Sequence, residues 1–271
     1  MSSFLQLIFV LTIILFASKL GGYLTSRIGQ PAVLGELLVG IILGPSLIDL
    51  THLPIITNLH IGEMVGELGE IGVLVLMFLA GLELHFSELT RNTRVAAFSG
   101  ILGVLMPVGL GLLAGYLFGH SFASAASIGL TLGATSVSIS AQTLMELKVL
   151  RSRVGLGLLG AAVFDDILVI LLLSGFLALS NGGSALDIFF VMLKMLAFLS
   201  LSAAFGLWVL PKISRRISRL PISQGMLTFS LIIMMIYGLA AELLGGMAAI
   251  TGTFLAGLMF ARTPEKSLIE S

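Results

Sequence analysis

Long, almost uninterrupted stretches of hydrophobic residues fill most of the chain, and short polar segments separate them. A helix needs about 20 apolar residues to cross the hydrocarbon core of a bilayer. By that criterion the sequence predicts an all-α membrane protein with nine transmembrane spans. Their approximate bounds are 4–25, 31–47, 65–86, 95–118, 123–146, 154–179, 186–210, 224–243 and 246–262. We expect the short second and ninth spans to be tilted or interrupted.

Basic residues outside the spans all follow odd-numbered spans: Arg27, Arg91, Arg94, Lys148, Arg151, Arg153, Lys212, Arg215, Arg216, Arg219, Arg262 and Lys266. Because basic loops stay cytoplasmic, the pattern predicts a multi-pass cell-membrane protein with its N-terminus outside and its C-terminus in the cytoplasm. Two lysines lie within spans. Lys19 is close enough to the inner end of span 1 to extend its amine to the surface. Lys194 is deeper, and we expect it to pair with a carboxylate.

Composition narrows the function classes. The 271 residues are 57% hydrophobic and 10% charged, with a mean hydropathy of +1.13. Soluble domains carry about 25% charged residues, so a soluble protein is excluded. Lys+Arg and Asp+Glu are balanced at 14 each, which argues against a nucleic-acid partner. The absence of cysteine excludes disulfides and thiolate chemistry, and the four scattered histidines lack zinc-ligand spacing.

Two adjacent carboxylates, Asp165 and Asp166, lie inside the apolar span 6. A charged side chain at the bilayer centre costs about 2.5–3.5 kcal/mol or more. Asp166 follows Val154 by 12 residues, or about 18 Å of helix, which is mid-membrane depth. This placement favours an ion or proton site. The alternative is an inert pair that neighbouring groups neutralise.

Span 5 carries an unusual segment, residues 133–138, at the same predicted depth as the aspartates. Glycine followed by alternating hydroxyl and β-branched residues, including Thr135 and Ser136, is unfavourable in a helix interior. Transporter helices often break at mid-membrane and coordinate ions with the freed backbone groups. A continuous helix with hydroxyls bonded to the preceding turn is the alternative. The shared depth with Asp165 and Asp166 favours the break.

Carboxylate, hydroxyl and backbone oxygens suit a hard monovalent cation such as Na⁺, K⁺ or Li⁺. A bound cation favours an ionised carboxylate and a bound proton neutralises it, so the two ligands would compete for one site. Neighbouring helical residues point about 100° apart, so Asp165 and Asp166 need not have the same role. No cofactor is predicted beyond the transported ions.

A short repeat suggests internal symmetry. Residues 35–40 and 252–257 share the pattern G-x-x-L-x-G, in spans of opposite predicted direction. Such pairs indicate an inverted repeat. The pattern predicts a single exchanger domain over 1–271: a five-helix repeat at 31–179, linker helices at 180–245 and the start of a second repeat at 246–271. Completing that repeat would take four more helices, or about 120 residues, so we expect the chain to be truncated.

Several segments in order resemble the monovalent cation:proton antiporter-2 family, which includes the Kef and NapA-type exchangers. They are residues 30–40, Gly44-Pro45, 69–72, 78–84, 135–138 and 160–166. The resemblance implies an inverted-repeat fold of the NhaA/NapA type with thirteen helices, assembled as a homodimer. It also implies that Asp165 and Asp166 are the paired ion- and proton-binding carboxylates, that Asp166 is the essential carrier, and that Thr135 and Ser136 face them from a broken helix.

The resemblance further implies that Asp165 pairs with a basic residue of a later helix, and that more than one proton moves per cation. This sequence holds neither that later helix nor the second broken helix. No Gly-x-Gly-x-x-Gly nucleotide-binding segment follows the spans either.

The leading hypothesis is a secondary antiporter, not an enzyme, that exchanges Na⁺ or K⁺ for protons. An intramembrane aspartyl protease would need carboxylates brought face to face, and adjacent positions on one helix do not converge that way. Two further hypotheses are a cation channel, which needs a continuous pore, and a non-transporting fragment of an antiporter. Glu36, shallow in span 2, lies along an ion route or bonds to a neighbouring helix end, and its depth favours the second role.

Overall fold

The computed structural model describes residues 2–84, 93–181, 185–221 and 223–263, and within these ranges the regular structure is entirely helical. The α-helices are α1 (Ser3–Arg27), α2 (Ala32–Leu43), α3 (Ile61–Glu83), α4 (Thr93–Leu117), α5 (Phe122–Gly133), α6 (Val137–Glu146), α7 (Arg153–Asn181), α8 (Ala185–Ala204), α9 (Leu210–Ile217), α10 (Gly225–Ala240) and α11 (Ala249–Phe260). A 3-10 turn covers Leu50–His52. Two π-helical segments, Phe205–Val209 and Ala241–Gly245, follow α8 and α10.

The helices confirm an all-α membrane protein. Within the described ranges, seven helical stretches are long and apolar enough to cross a bilayer, and the two shorter apolar helices α2 and α11 fall in predicted spans 2 and 9. Twelve residues of helix extend only about 18 Å, short of the roughly 30 Å hydrocarbon core. The number of nine spans and the inverted repeat therefore stay predictions.

One compact unit comprises residues 1–73 and 142–148. In it α1 and α2 pack backbone against backbone, because a Cβ on Gly21 would lie 2.7 Å from the Gly35 carbonyl oxygen. Small residues allow this close approach between membrane helices. A buried apolar cluster of Val10, Leu50 and Ile61 holds α1, the 3-10 turn and the start of α3 together.

The second compact unit comprises residues 74–141 and 149–271. It contains the candidate site. Helices α4 and α5 form a closely packed pair, in which a Cβ on Gly111 would lie 2.7 Å from Cα of Gly129. Helix α10 packs on α11, and a cluster of Met195, Phe198, Ala241 and Met247 joins α8 to the second π segment. The predicted repeats and linker, at 31–179, 180–245 and 246–271, divide the chain by internal symmetry. The two compact units divide it by contacts and do not test that division, so these boundaries stay predictions.

Two predicted spans differ from simple helices. Span 5 consists of α5 and α6, separated by the non-helical residues Ala134–Ser136. Span 7 consists of α8 and the first π segment and continues into α9, so helical structure extends to Ile217. Hydropathy identified both stretches as apolar. It carries no information on the backbone hydrogen bonds, which decide where a helix breaks or becomes a π-helix.

Candidate functional site

An interruption in span 5 forms one wall of the site. Helix α5 ends at Gly133, Ala134 is extended with φ −77° and ψ 108°, and α6 begins at Val137. The side chain of Ser140 turns back toward this break and donates to the Ser136 carbonyl at 3.3 Å. At such a break, the last carbonyls of one half and the first amides of the other lose their helical partners. These backbone groups are then available to an ion.

Helix α7 brings Asp165 to this interruption. The Asp165 side chain is buried, and both the hydroxyl and the backbone amide of Thr135 approach its carboxylate. Its Oδ1 atom has no hydrogen-bond partner within the described part of the chain. Buried carboxylate oxygens are nearly always paired, so an unpaired one indicates a place for water or an ion.

A cavity of about 130 Å³ lies against Asp165, with apolar side chains over most of its wall and several hydroxyl groups beside the carboxylate. Its hydroxyl groups come from Ser99 on α4, from Thr135 and Ser136 at the break, and from Ser140 on α6. One water needs about 10–15 Å³ of such space, so the cavity has room for a partly hydrated cation. Thr135 and Ser136 thus lie with Asp165 on one cavity, and their role as ion ligands stays a prediction.

Asp166 faces a different environment. Its Oδ2 atom accepts a hydrogen bond from the hydroxyl of Thr251 on α11. The adjoining cavity is only about 10 Å³, and apart from Asp166 and Thr251 its lining is apolar, including Met77, Leu159 and Phe254. The two aspartates therefore point to different cavities, as their 100° separation on a helix predicts.

Sequence reasoning missed Thr251, Ser99 and Ser140. Thr251 lies in the predicted ninth span within the polar group Thr251-Gly252-Thr253, an unusual feature in a short apolar helix. That group was the available signal. Only the packing of α11 beside α7 gives it a partner, and a sequence does not list such contacts between distant segments.

The first unit contains a separate polar cluster. Glu36 accepts from the Lys19 amine at 2.9 Å through Oε1 and from the Gln142 side-chain amide at 3.1 Å through Oε2. The Glu146 carboxylate accepts the Ala32 amide at 2.6 Å, at the start of α2. Glu36 therefore has the hydrogen-bonding role that its shallow depth favoured, but it bonds to two side chains and not to the end of a neighbouring helix. Lys19 has Glu36 as its partner while its side chain stays exposed, and its extension to the membrane surface stays a prediction.

The other intramembrane lysine has a different environment. The expected carboxylate partner of Lys194 is not found among the residues that the structure describes. Its side chain lies on an apolar groove between α8 and α10.

Several known proteins are similar to this chain over nearly its whole length. The family described as sodium/hydrogen exchanger, transmembrane, matches residues 10–271. The probable Na⁺/H⁺ antiporter GerT of Bacillus cereus is 38% identical over 97% of this chain and 67% of its own length. The Na⁺/H⁺-K⁺ antiporter GerN of the same organism is 37% identical over 98% of this chain and 66% of its length.

A Na⁺/H⁺ antiporter of Enterococcus hirae is 35% identical over 97% of this chain and 67% of its own length. The chain thus spans about two thirds of the length of these relatives. The match over nearly its whole length means that the chain belongs to the sodium/hydrogen exchanger transmembrane family.

Proposed function

We propose that this chain forms the cation- and proton-binding part of a secondary antiporter that exchanges Na⁺ or K⁺ for protons. One observation carries the proposal: a buried Asp165, with one oxygen unpaired among the described residues, faces a cavity that contains four hydroxyl side chains at an interrupted helix. The names of the relatives GerT and GerN support it. The pair Asp165 and Asp166 would bind the ions, and Thr135 and Ser136 would supply further oxygen ligands.

The exchange would follow from competition at the two carboxylates. A cation entering the cavity meets the Asp165 oxygen and the hydroxyls around it, all of which are hard ligands. Binding favours the ionised carboxylates, so protons held there are released. Proton return displaces the cation. Each ion is thus carried only when the other is absent, and the backbone dipoles at the break replace part of the hydration shell of the cation.

The decisive experiment measures binding and flux separately. When Na⁺ is added to the purified chain in a weakly buffered solution, the chain should release protons. Asp166→Asn should abolish this release, and it should also abolish cation-driven proton flux in proteoliposomes. Asp49→Asn is the matched control, because Asp49 lies in an exposed segment and pairs only locally with His52 and Thr51. Unchanged flux in Asp166→Asn would overturn the proposal.

The same assay distinguishes the competing functions. A chain that releases protons on cation binding but shows no flux would be a binding fragment of an antiporter. Flux far above carrier rates in single-channel recordings would indicate a channel. A charge movement that accompanies each cycle would support more than one proton per cation.

The topology and assembly are part of the proposal. The distribution of basic residues supports an external N-terminus and a cytoplasmic C-terminus in the cell membrane. A homodimer is proposed from the family resemblance, and cross-linking in native membranes tests it. We propose that the chain has no enzymatic activity, since the carboxylates lie side by side on α7 and face different cavities.

A further inference from the structure

Lys194 is an intramembrane cation that the exchange mechanism does not use. It is the tenth residue of α8, about 14 Å from the start of the helix, and its side chain is exposed on an apolar surface. It forms no ion pair with any described residue. A charge at such a depth is costly unless it has an anionic partner or reaches the interface. Its surroundings therefore indicate what that partner is.

A groove of about 440 Å³ extends from Lys194 along α8. One wall consists of Lys194, Ala197, Phe198, Leu201 and Ser202 on α8 and of Phe205 at the start of the first π segment. These positions repeat every three or four residues, so they form one stripe of the helix. The stripe covers twelve residues, or about 16 Å along the axis, with its only charge at one end. A long apolar channel with a cation at one end matches an anionic amphiphile.

The opposite wall comes from α10 and the second π segment, with Ile236, Ala240 and Leu244 along it. The small side chains of Ala197 and Ala240 leave the space between the two helices unfilled. Away from Lys194, the Tyr237 hydroxyl donates to the Ser202 carbonyl at 2.8 Å and ties the helices together. Leu201 and Leu244 are 70% and 69% exposed, so the groove is open along its side to a lipid chain.

We propose that this groove binds an anionic phospholipid, with one acyl chain along the α8 stripe and the phosphate on the Lys194 amine. The predicted topology places Lys194 nearer the outer membrane surface than Ser202 and Phe205, which lie toward the cytoplasmic end of span 7. The flexible lysine stem extends the amine further toward the headgroups. The charge complementarity selects an anionic lipid, because a purely apolar occupant would leave the amine without a partner.

Native mass spectrometry of the purified full chain tests the proposal with two lipids that differ only in headgroup, dioleoyl phosphatidylglycerol and dioleoyl phosphatidylcholine. Because a lysine near the membrane surface attracts an anionic headgroup, the phosphatidylglycerol should bind about fivefold more tightly than the phosphatidylcholine. Lys194→Gln should remove this preference, and Lys194→Arg should keep it. Lys212→Gln, on an exposed position of α9 outside the groove, should leave the preference unchanged.

A second variant tests the acyl-chain part of the site. Ala197→Phe fills the groove and should weaken the binding of both lipids. The variant should still release protons when Na⁺ is added, which shows that the chain is folded. Equal binding of the two lipids to the unaltered chain would overturn the proposal. So would a headgroup preference that survives Lys194→Gln. Loss of a dimer in Ala197→Phe without any change in lipid binding would assign the groove to a second copy instead.

Discussion

The Thr251 hydroxyl donates a hydrogen bond to Oδ2 of Asp166, across the contact between α11 and α7. The bond occupies one acceptor position of an oxygen that the proposed exchange mechanism uses. A cation that approaches Asp166 from the α11 side therefore competes with the Thr251 hydroxyl for that position. Thr251 thereby acts as a positioning residue that holds Asp166 against α11, away from the cavity at Asp165.

Thr251→Val should tighten cation binding, because it removes the group that competes for the Asp166 oxygen. A hydrogen bond to a charged group is worth about 1.5–3 kcal/mol, so the KM for Na⁺ should fall by about tenfold while exchange persists. The measurement is Na⁺-dependent proton flux in proteoliposomes, at a pH high enough that competing protons are scarce.

Two variants serve as controls for this effect. Thr251→Ser keeps the donor and should behave like the unaltered chain. Thr253→Val removes a buried hydroxyl that donates only to the Ile250 carbonyl at 2.9 Å, and it should leave the KM unchanged. A raised KM in Thr251→Val would mean that the Thr251 oxygen binds the cation instead of competing with it.

Ser99 tests whether the cavity at Asp165 admits the cation. Ser99→Leu places an apolar side chain in a space of about 130 Å³ and leaves less room for the cation. It should lower the flux by roughly 10–100-fold, comparable with the effect of disturbing the surroundings of a metal site. Ser99→Ala keeps the space and removes only one hydroxyl, so it should retain most of the flux. Equal effects of the two variants would contradict entry through this cavity.

The sequence predicted the parts of the site that depend on local chemistry. Asp165 and Asp166 stand out because their charge opposes the apolar span around them. The break at Ala134–Ser136 follows from residues that are poor in helix interiors. Thr251 could not be predicted in the same way. It lies 85 residues from Asp166, and its hydroxyl has a role only because α11 packs beside α7.

The polar contacts of the first unit show the same limit. The shallow depth of Glu36 predicted a bond to a neighbour, but not the pairing with Lys19 and Gln142. From its position at the end of span 5, Glu146 has only the features of an acid at the membrane interface. Its contact with the first amides of α2 is a property of the folded chain, because 113 residues separate it from Val33.

Glu146 caps α2 from a distant part of the sequence. The residue before the helix is Pro31, which offers no side-chain cap, and the Glu146 oxygens accept the Ala32 and Val33 amides at 2.6 and 3.3 Å. A carboxylate at a helix start satisfies free amides and interacts favourably with the helix dipole. Glu146→Ala should therefore lower the free energy of unfolding by about 0.5–2 kcal/mol.

Thermal unfolding in detergent measures this loss as a Tm lower by a few degrees, about 2–4 °C per kcal/mol for a chain of this size. Glu63→Ala is the control for an exposed acid, since Glu63 lies in the first turn of α3 and pairs with His60 where both side chains are exposed. Exposed pairs contribute about 0–1 kcal/mol, so its Tm should scarcely change. An equal loss in both variants would show that Glu146 does not cap α2.

Gly81 on α3 and Gly257 on α11 make the contact that sets the position of Thr251. A Cβ on Gly81 would collide with the Phe254 carbonyl oxygen, and a Cβ on Gly257 with the Phe78 carbonyl oxygen. The backbones touch here, so neither side can move aside as a flexible side chain would. Gly257→Ala should push the helices apart and cost about 1–3 kcal/mol of unfolding free energy. Because α11 would carry Thr251 away from Asp166, it should also lower the KM for Na⁺ in the measured flux, as Thr251→Val does.

Gly109→Ala is the control for helix propensity. Gly109 lies in α4 with nothing within 4 Å of the added Cβ, so the substitution should be neutral or stabilising by up to about 1 kcal/mol. Thermal unfolding and flux measured on the same preparations separate the two effects. If Gly257→Ala keeps both the Tm and the KM for Na⁺, α3 and α11 do not depend on backbone contact, and the position of Thr251 must be fixed by other packing.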